Sequence, residues 1–326
     1  TPVRLTKRRN ESGVLGDGGA RYALKCIERS RLKTQGQVTS VYREKEILLK
    51  AKHTGIVHFH TTLKDETHLY FLLEYLAGGD LLWHMRRAPG SRLDESAARS
   101  VAAALLLALA YLQEIGVLYR DLKATNVVFS GSGVPKLVDF GHAKVVNSPL
   151  EERSKSIVGT PQFHAPETVR GEAHGIAAQL WAFGVLLYEM LSGKNPFMVQ
   201  QSRKQRADAE QNEGMDEKKG NSDYLPLLHA RILEASPDLD NFTHDAAALL
   251  RQLFTADPEA RLSVFPKGYA SLMNENWLAP ADWSSSLMVD DLRSACAEHA
   301  AEAAEIEGFP LDAEAGTEVD NPFAGF

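Results

Sequence analysis

Residues 118–129 read LYRDLKATNVVF, and the interpretation of the whole chain starts from this stretch. It sets an arginine, an aspartate, a lysine and an asparagine within seven positions, between two apolar runs. Asp and Asn often serve turns by hydrogen bonding to the nearby backbone, so a polar turn between two buried segments is the plainest interpretation. A functional loop is the alternative, and fragments elsewhere in the chain decide between the two.

The size and composition of the chain suit a globular protein with one large unit or two lobes. It has 326 residues, of which 44% are hydrophobic and 24% charged, which is ordinary for a soluble protein and excludes a collagen-like or wholly disordered class. The longest apolar run, VAAALLLALAYL (101–112), is shorter than the roughly 18 residues of a membrane span. We therefore expect a core helix there and no membrane span.

The net charge of −7 is unevenly spread along the chain. Residues 285–326 hold ten acids against one base, so this segment carries −9 and the remainder about +2. Proteins that bind nucleic acid concentrate Lys and Arg, so a near-neutral body argues against nucleic acid as a partner. We expect the acidic tail to be a solvated surface.

Cysteine usage and the N-terminus bear on the setting in which the protein works. Cys26 and Cys296 are the two cysteines, and they lie far apart in sequence. They cannot form a disulfide framework, which favours a reducing, intracellular and cytoplasmic setting. The chain opens at Thr1 without a signal-peptide pattern, and we expect its true N-terminus to lie further upstream.

The first 78 residues have the pattern of a small sheet with one helix. Segments 3–7 and 21–28 alternate in polarity, and the glycine-rich stretch between them suits a hairpin turn. Apolar residues recur at helical spacing in 40–52, with charges on the other faces. Residues 68–76 are rich in strand-forming side chains and end shortly before two glycines, where we place the end of the small lobe.

From residue 79 to residue 283 the pattern becomes mainly helical. Residues 95–116 predict a helix that ends at Gly116, and residues 180–193 are apolar nearly all round, as expected of a helix at the centre of a lobe. Residues 199–223 are almost wholly polar with mixed charge, which favours a flexible insertion over a functional arm. Residues 284–326 form the acidic tail.

Five fragments follow one another in an order that matches a known signature set. They are a strand lysine, a helix glutamate, and the motifs YRDLKATN, VDFG and HAPE. The series resembles that of the eukaryotic protein kinases, whose motifs are H-R-D-L-x-x-x-N, D-F-G and A-P-E. The resemblance implies an α+β, two-lobed protein-kinase fold, with a small β-rich N-lobe carrying one main helix and a larger, mainly helical C-lobe. The matching residues are Lys25, Glu44, Asp121, Lys123, Asn126, Asp139 and Glu167.

The resemblance implies ATP and Mg²⁺ as cofactors, because phosphoryl transfer depends on neutralising phosphate charge and aligning the attacking oxygen. Lys25 would hold the α- and β-phosphates and be kept in place by an ion pair with Glu44. Asp139 and Asn126 would hold Mg²⁺, which prefers oxygen ligands. A plain surface salt bridge is the alternative for Lys25 and Glu44, but the apolar neighbours of Lys25 argue against it.

The same resemblance assigns the remaining contacts of the site. Asp121 would accept or orient the proton of the substrate hydroxyl, and Lys123 would face the γ-phosphate. The residues around adenine would be the sandwiching pair Ala23 and Val128, the gatekeeper Leu73, and the hinge Glu74, Tyr75 and Leu76.

Several fragments narrow the resemblance to one group of kinases. Tyr119 replaces the histidine of H-R-D, and YRDLK, LEYLAGGDL and GTPQFHAPE resemble the AGC group, particularly the cAMP- and cGMP-dependent kinases. The implied partners are protein substrates with Ser or Thr, and a cyclic-nucleotide-binding regulatory domain or subunit. The C-terminal NPFAGF implies a tail that docks Phe323 and Phe326 on the small lobe and buries about 150–250 Å² per ring, with a frayed end as the alternative.

The resemblance also implies residues for regulation and for substrate choice. Ser156 falls at the activation-loop phosphosite, where a phosphate could pair with Arg120 and Lys144; an ordinary loop serine is the alternative. Asp80 and Glu189 match acids that select basic residues upstream of the target hydroxyl.

Three further positions complete this part of the pattern. Thr125 replaces a third acid of the substrate cleft, so one basic site should be less demanding. Thr160 favours Ser/Thr over Tyr substrates. Glu167 is expected to pair with Arg261 as a structural salt bridge and to take no part in catalysis.

Two departures from the pattern put activity in question. Gly19 lies only six residues before Lys25, which leaves no room for the intervening strand, so we expect the glycine-rich phosphate loop upstream of Thr1 and poor ATP binding by the chain as it stands. Gln179 stands where the family has an aspartate that accepts backbone N–H groups. A neutral amide accepts more weakly, so reduced activity is expected.

Three hypotheses for function remain at this point. An active Ser/Thr kinase is the leading one. A catalytically impaired pseudokinase acting as a nucleotide-binding or scaffold module is the second, and a small-molecule kinase with the same core is the third.

Overall fold

The computed structural model describes residues 3–7, 21–198, 224–281, 283, 290–303 and 326. The predicted hairpin turn, the polar insertion and Phe323 lie outside these residues. Within the described ranges a small strand-rich part is followed by a larger helical part, which confirms the predicted two-lobed fold class.

The N-terminal part is a four-stranded antiparallel sheet with one long helix. In sheet order the strands are β1 (Val3–Lys7), β2 (Arg21–Glu28), β4 (His68–Glu74) and β3 (Phe59–Lys64), and the helix is α1 (Gln35–Lys50). The helix begins five residues earlier than predicted, because Thr34 and Gln37 form a reciprocal capping box. A polar first turn therefore precedes the apolar spacing that the sequence shows.

The register of this sheet places two of the predicted site residues. Strands β1 and β2 are antiparallel neighbours with Val3 opposite Lys25, so the two predicted strands pair with each other. Strand β2 also pairs with β4, and Ala23 stands opposite Leu73. Lys25 and Ala23 lie two positions apart on β2 and therefore share one face of the sheet.

The larger part consists of helices with two short antiparallel ribbons. The helices are α2 (Leu81–Arg87), α3 (Glu95–Glu114), α4 (Pro166–Val169), α5 (Ile176–Ser192), α6 (Tyr224–Glu234), α7 (His244–Leu253), α8 (Pro258–Val264) and α9 (Tyr269–Leu272). The ribbons pair β5 (Val117–Leu118) with β8 (Lys144–Val145), and β6 (Val127–Phe129) with β7 (Pro135–Leu137). Helix α5 is the predicted central helix: Trp181 and Phe183 on it are fully buried.

Helix α3 is longer than the apolar run that predicted it. Asp94 caps its N-terminus by accepting the Ala97 N–H at 2.9 Å, so the helix spans 20 residues. By length and composition alone, this one helix of the described residues could cross a membrane. However, 61% of its apolar window is buried inside the molecule, and Val101, Leu105 and Leu109 are part of the core.

The two parts are joined by the segment that follows β4. Gly78 N–H donates to the Phe129 carbonyl and Phe129 N–H donates to the Gly79 carbonyl, both at 2.8 Å. The segment between the two parts is therefore hydrogen bonded to strand β6. A Cβ atom at Gly78 would lie 2.4 Å from the Ser130 carbonyl oxygen, and Gly79 has φ +78°. Both conditions require glycine, which explains the paired glycines at the predicted boundary.

The acidic tail contains a helix that the sequence analysis did not predict. Helix α10 (Asp290–Ala303) buries Cys296 completely, and His299 Nδ1 donates to the Ala77 carbonyl at 2.7 Å, just beyond the hinge. The expectation of a solvated surface is therefore wrong for one face of this helix. Cys296 and His299 lie three positions apart and therefore share one helical face, whereas Glu298 is exposed.

Candidate active site

Three predicted residues from different elements meet at one lysine. Lys25 Nζ on β2 lies 2.6 Å from Glu44 Oε1 on α1 and 2.8 Å from Asp139 Oδ1. Lys25 and Glu44 are buried, whereas 48% of the Asp139 side chain is exposed. The plain surface salt bridge is thus excluded, because the lysine is buried between two carboxylates.

Neighbouring charges shift the pKa values of both Lys25 and Asp139 in the direction that keeps them charged. Burial alone would lower the pKa of Lys25, but the two carboxylates outweigh it and the pKa is raised. Burial would raise the pKa of Asp139, but Lys25 outweighs it and the pKa is lowered. The ammonium and the partly exposed carboxylate are therefore both charged at neutral pH, as a site for a metal-bound polyphosphate requires.

The polar stretch of the opening sequence forms a loop around Asp121. Lys123 Nζ donates to Asp121 Oδ2 at 2.8 Å, and Asn126 Nδ2 donates to the same oxygen at 2.9 Å. Thr160 Oγ1 donates to Asp121 Oδ1 at 3.0 Å. The interpretation as a simple turn is inadequate, since these three side chains converge on one buried carboxylate.

Gln179 on α5 hydrogen bonds to the backbone of this loop. Its Oε1 accepts the Tyr119 N–H at 2.9 Å and the Arg120 N–H at 3.1 Å. Arg120 has φ +66°, a conformation that costs a non-glycine residue energy and therefore needs such support. The amide oxygen of Gln179 therefore serves as the acceptor expected of an aspartate at this position. Its Nε2 atom, however, is buried without a hydrogen-bond partner, so the substitution adds an unpaired donor.

Two hydrogen bonds connect the loop to the Asp139 cluster. The Tyr119 hydroxyl donates to the Val138 carbonyl, and Val138 N–H donates to the Asn126 carbonyl at 3.0 Å. Burial raises the pKa of Tyr119, and the nearby carboxylates of Asp139 and Asp121 raise it further. Both aspartates therefore lie near one buried phenol, on the same side of the molecule.

The residues predicted around adenine line the joint between the two parts. Leu73 is buried at the end of β4, Ala23 is its partner on β2, and Leu76 and Val128 are half-buried. Val128 on β6 pairs with Asp80 through an isolated bridge. The Glu74 carboxylate accepts from Lys136 Nζ at 2.7 and 3.0 Å. This ion pair between the hinge and β7 was missed, because no local pattern links the two positions.

Both predicted substrate-binding acids, Asp80 and Glu189, accept hydrogen bonds from groups within the protein. Asp80 caps α2, its Oδ1 accepting the Trp83 N–H at 2.7 Å. Glu189 is half-buried on α5 and accepts from Asn195 Nδ2 at 2.8 Å. Burial raises the pKa of Glu189 to about 7 against the opposing effect of that hydrogen bond.

The predicted phosphosite lies beside the catalytic loop. Ser156 Oγ accepts from Arg120 Nη1 at 3.0 Å, and both residues line a surface pocket with Lys144. Lys144 Nζ pairs with Glu152 Oε1 at 3.0 Å. Arg43 of α1 lines the same pocket, and no sequence motif marks it. Burial lowers the pKa of Arg120 to about 10, and the nearby charge of Arg43 adds to the shift.

Two structural predictions have clear outcomes. Arg261, which is fully buried, donates to Glu167 at 2.9 and 3.4 Å, so the predicted salt bridge is present. Phe326 packs against the small lobe, with its ring centroid 5.2 Å from that of Phe71 and 6.0 Å from that of Tyr42. The prediction of tail docking is confirmed for this one ring.

The geometry agrees with comparisons to known proteins. The sequence model of the protein kinase domain family matches residues 12–278. The cAMP-dependent protein kinase catalytic subunit of Dictyostelium discoideum is 33% identical over 81% of this chain and 37% of its own length. The cGMP-dependent protein kinase of Plasmodium berghei is 31% identical over 81% of this chain and 28% of its own. The human cGMP-dependent protein kinase 2 is 31% identical over 86% of this chain and 33% of its own.

Each of these three relatives is much longer than the region that it shares with this chain. The chain spans about a third of their length.

Proposed function

The chain belongs to the protein kinase family, and we propose that it transfers the γ-phosphoryl group of ATP to serine or threonine hydroxyls of proteins. One observation carries the proposal. Lys25 Nζ is within 2.8 Å of both Glu44 and Asp139, and Val138, which precedes Asp139, is hydrogen bonded to the loop that holds Asp121. Charge-neutralising groups and a proton acceptor are thus set side by side, which is what phosphoryl transfer needs from a protein.

Asp121 is the residue that handles the substrate proton. It accepts or orients the proton of the substrate hydroxyl as the oxygen bonds to the γ-phosphorus and the bond to the ADP oxygen breaks. Lys123 and Thr160 fix the orientation of its carboxylate through the two oxygens. Lys123 Nζ also lies 3.0 Å from Thr160 Oγ1, so it is placed to turn from the carboxylate to the γ-phosphate.

Asp139 and Asn126 suit Mg²⁺. No three His, Cys, Asp or Glu side chains cluster as a complete metal cage in the described part of the chain. This fits Mg²⁺, which binds through one or two protein oxygens together with substrate phosphates. Asn126 commits its amide nitrogen to Asp121, so its Oδ1 is the atom that suits the cation. When bound, Mg²⁺ neutralises phosphate charge and fixes the phosphate orientation.

Basic residues upstream of the target hydroxyl are the proposed specificity. Asp80 and Glu189 supply carboxylates for this purpose, and Thr125 leaves one basic subsite without an acid. The relatives are named as cAMP- and cGMP-dependent kinases, which supports the choice of Ser/Thr peptides and the presence of a cyclic-nucleotide-binding regulatory domain or subunit. Phosphorylation of Ser156 next to Arg120 is the proposed regulatory step.

The test is transfer of labelled phosphate from Mg²⁺-ATP to a serine peptide with arginines upstream. We expect Asp121→Asn to lower kcat by at least about 100-fold, because the amide cannot accept the proton. Asp245→Asn, an exposed acid at the start of α7, should retain wild-type kcat. Equal kcat in the wild type and in Asp121→Asn would remove Asp121 from the mechanism.

A catalytically impaired pseudokinase is the second candidate. The unpaired Nε2 of Gln179 and the neutral acceptor beneath Arg120 favour it, because both weaken support for the catalytic loop. Mg²⁺-ATP binding without transfer to any peptide in the same assay would identify this function.

A further inference from the structure

Ser40 on α1 is hydrogen bonded to the backbone just beyond Asp139. Its side chain is half-buried, and its hydroxyl donates to the Gly141 carbonyl oxygen at 3.0 Å. Ser40 lies four positions before Glu44, and residues at this spacing are neighbours on one face of a helix. Ser40 therefore holds residues 139–143, here called the Asp139 segment, against the helix that also supplies Glu44.

Gly141 borders the charged cluster of the candidate site. A Cβ atom on Gly141 would lie 3.3 Å from Asp139 Oδ1, 3.6 Å from Glu44 Oε2 and 4.0 Å from Lys25 Nζ. The Gly141 N–H donates to Asp139 Oδ1 at 3.3 Å, and the same oxygen accepts from Lys25. The residue that Ser40 holds by its carbonyl thus contacts the Asp139 carboxylate by its N–H.

The Asp139 segment needs contacts from outside to keep its conformation. Asp139 has φ +55°, a left-handed conformation that costs a non-glycine residue energy. Its side chain is 48% exposed, so packing alone does not fix it. Phe140 is buried and packs edge-on against Tyr119, with ring centroids 5.2 Å apart. The large part of the molecule therefore anchors Phe140, and Ser40 anchors Gly141 from the small part.

We propose that Ser40 is a positioning residue, whose hydroxyl holds the Asp139 segment against α1 and keeps the Asp139 carboxylate directed toward the metal-bound nucleotide. The consequence for the nucleotide rests on the proposed function, whereas the attachment to α1 does not. Without the hydroxyl, the Gly141 carbonyl loses a donor and the strained Asp139 backbone loses a restraint. The carboxylate is then less often in the orientation that suits Mg²⁺, while Lys25 and Glu44 stay paired.

Hydrogen–deuterium exchange of the full chain without nucleotide tests the attachment. In Ser40→Ala we expect protection of the Gly141 and Ala143 amides to fall about three- to tenfold, the effect of losing one neutral hydrogen bond. Both amides report on the segment, because they donate to acceptors within it. Unchanged protection in Ser40→Ala overturns the proposal.

Two further variants show whether the hydroxyl itself is responsible. Ser40→Thr keeps the hydroxyl and should keep the wild-type protection. Ser100→Ala is the matched control, because its hydroxyl donates to the Ser96 carbonyl within α3 and its loss should leave the Asp139 segment unchanged. If Ser40→Thr loses as much protection as Ser40→Ala, or if Ser100→Ala loses it equally, the hydrogen bond to Gly141 is not the cause.

Calorimetric titration of a non-hydrolysable ATP analogue tests the consequence for the nucleotide. Ser40→Ala should weaken binding about three- to tenfold in the presence of Mg²⁺ and leave binding without Mg²⁺ unchanged. Equal weakening under both conditions, or no weakening, overturns the role in directing Asp139. A wild type without any Mg²⁺-dependent gain would instead reject the proposed function, and the exchange experiment would still decide whether Ser40 holds the segment.

Discussion

The proposed role of Glu189 in substrate choice depends on the environment of its side chain. Its pKa is raised to about 7 by burial, with the Asn195 hydrogen bond opposing the shift. Below that pH the carboxyl is mostly neutral and cannot pair with an arginine of a peptide; above it the carboxylate is present. Basic selectivity carried by Glu189 must therefore increase as the pH rises through about 7.

The ratio of kcat/KM for two peptides measures this effect. The peptides differ only in having arginine or alanine at the position that contacts Glu189, so the pH dependence of the chemical step cancels. We expect the ratio to rise about tenfold from about pH 6 to pH 8, in proportion to the ionised fraction.

Glu189→Gln supplies the control for that ratio. The amide has no charge to lose, so the ratio should be low and flat across the same range. A rising ratio in this variant would assign the selectivity to another acid.

At the residue scale, the sequence motifs identified the site residues that they contain. They did not reveal ion pairs between residues that share no local pattern. Lys25, Glu44 and Asp139 were identified from their fragments, and they converge within 2.8 Å. The Glu74–Lys136 ion pair could not be identified, because it joins strands 62 positions apart. The unpaired Nε2 of Gln179 depends on three-dimensional packing, and the sequence showed only that a neutral amide replaced a carboxylate.

At the scale of elements, α1 depends on the C-terminal residue for part of its packing. The Phe326 ring lies beside Tyr42 of α1 and Phe71 of β4, and Lys45 Nζ is 5.1 Å from the ring centroid. Because α1 also carries Glu44, any loosening of the helix reaches Lys25. The tail is thus coupled to the nucleotide site through one helix.

Phe326→Ala should lower the free energy of unfolding by about 1–2 kcal/mol, as expected for truncating a half-buried aromatic side chain. It should also raise KM for ATP, because Glu44 is held less firmly. Thermal unfolding and steady-state kinetics measure the two effects. Leu227→Ala, at an exposed leucine of α6, is the control and should change neither. If both variants behave alike, the ring does not support α1.

The elements themselves were predictable where their pattern was local. The sheet, α1, α3 and α5 follow from their apolar patterns. Helix α3 begins at the predicted residue, whereas α1 begins five residues earlier than predicted because Thr34 caps a polar first turn. Helix α10 was missed because its charged composition hid a single buried face around Cys296.

At the scale of the whole molecule, the N-terminal and C-terminal parts both contribute residues to the candidate site. Strand β2 and helix α1 bring Lys25 and Glu44 from the small part. Asp139 comes from the large part, and the neighbouring Val138 is hydrogen bonded to the Asp121 loop. The account therefore makes a single claim for the molecule, which is that both parts together bind one metal-bound nucleotide.

Calorimetric titration of a non-hydrolysable ATP analogue, with and without Mg²⁺, tests that claim most directly. The account predicts that Mg²⁺ tightens binding to the wild type and to Asp121→Asn alike, since Asp121 serves proton transfer. It predicts that Asp139→Asn loses the Mg²⁺-dependent gain, because the amide is a poor ligand for a hard cation. An undiminished gain in Asp139→Asn, or nucleotide binding by the wild type that does not depend on Mg²⁺, would contradict it.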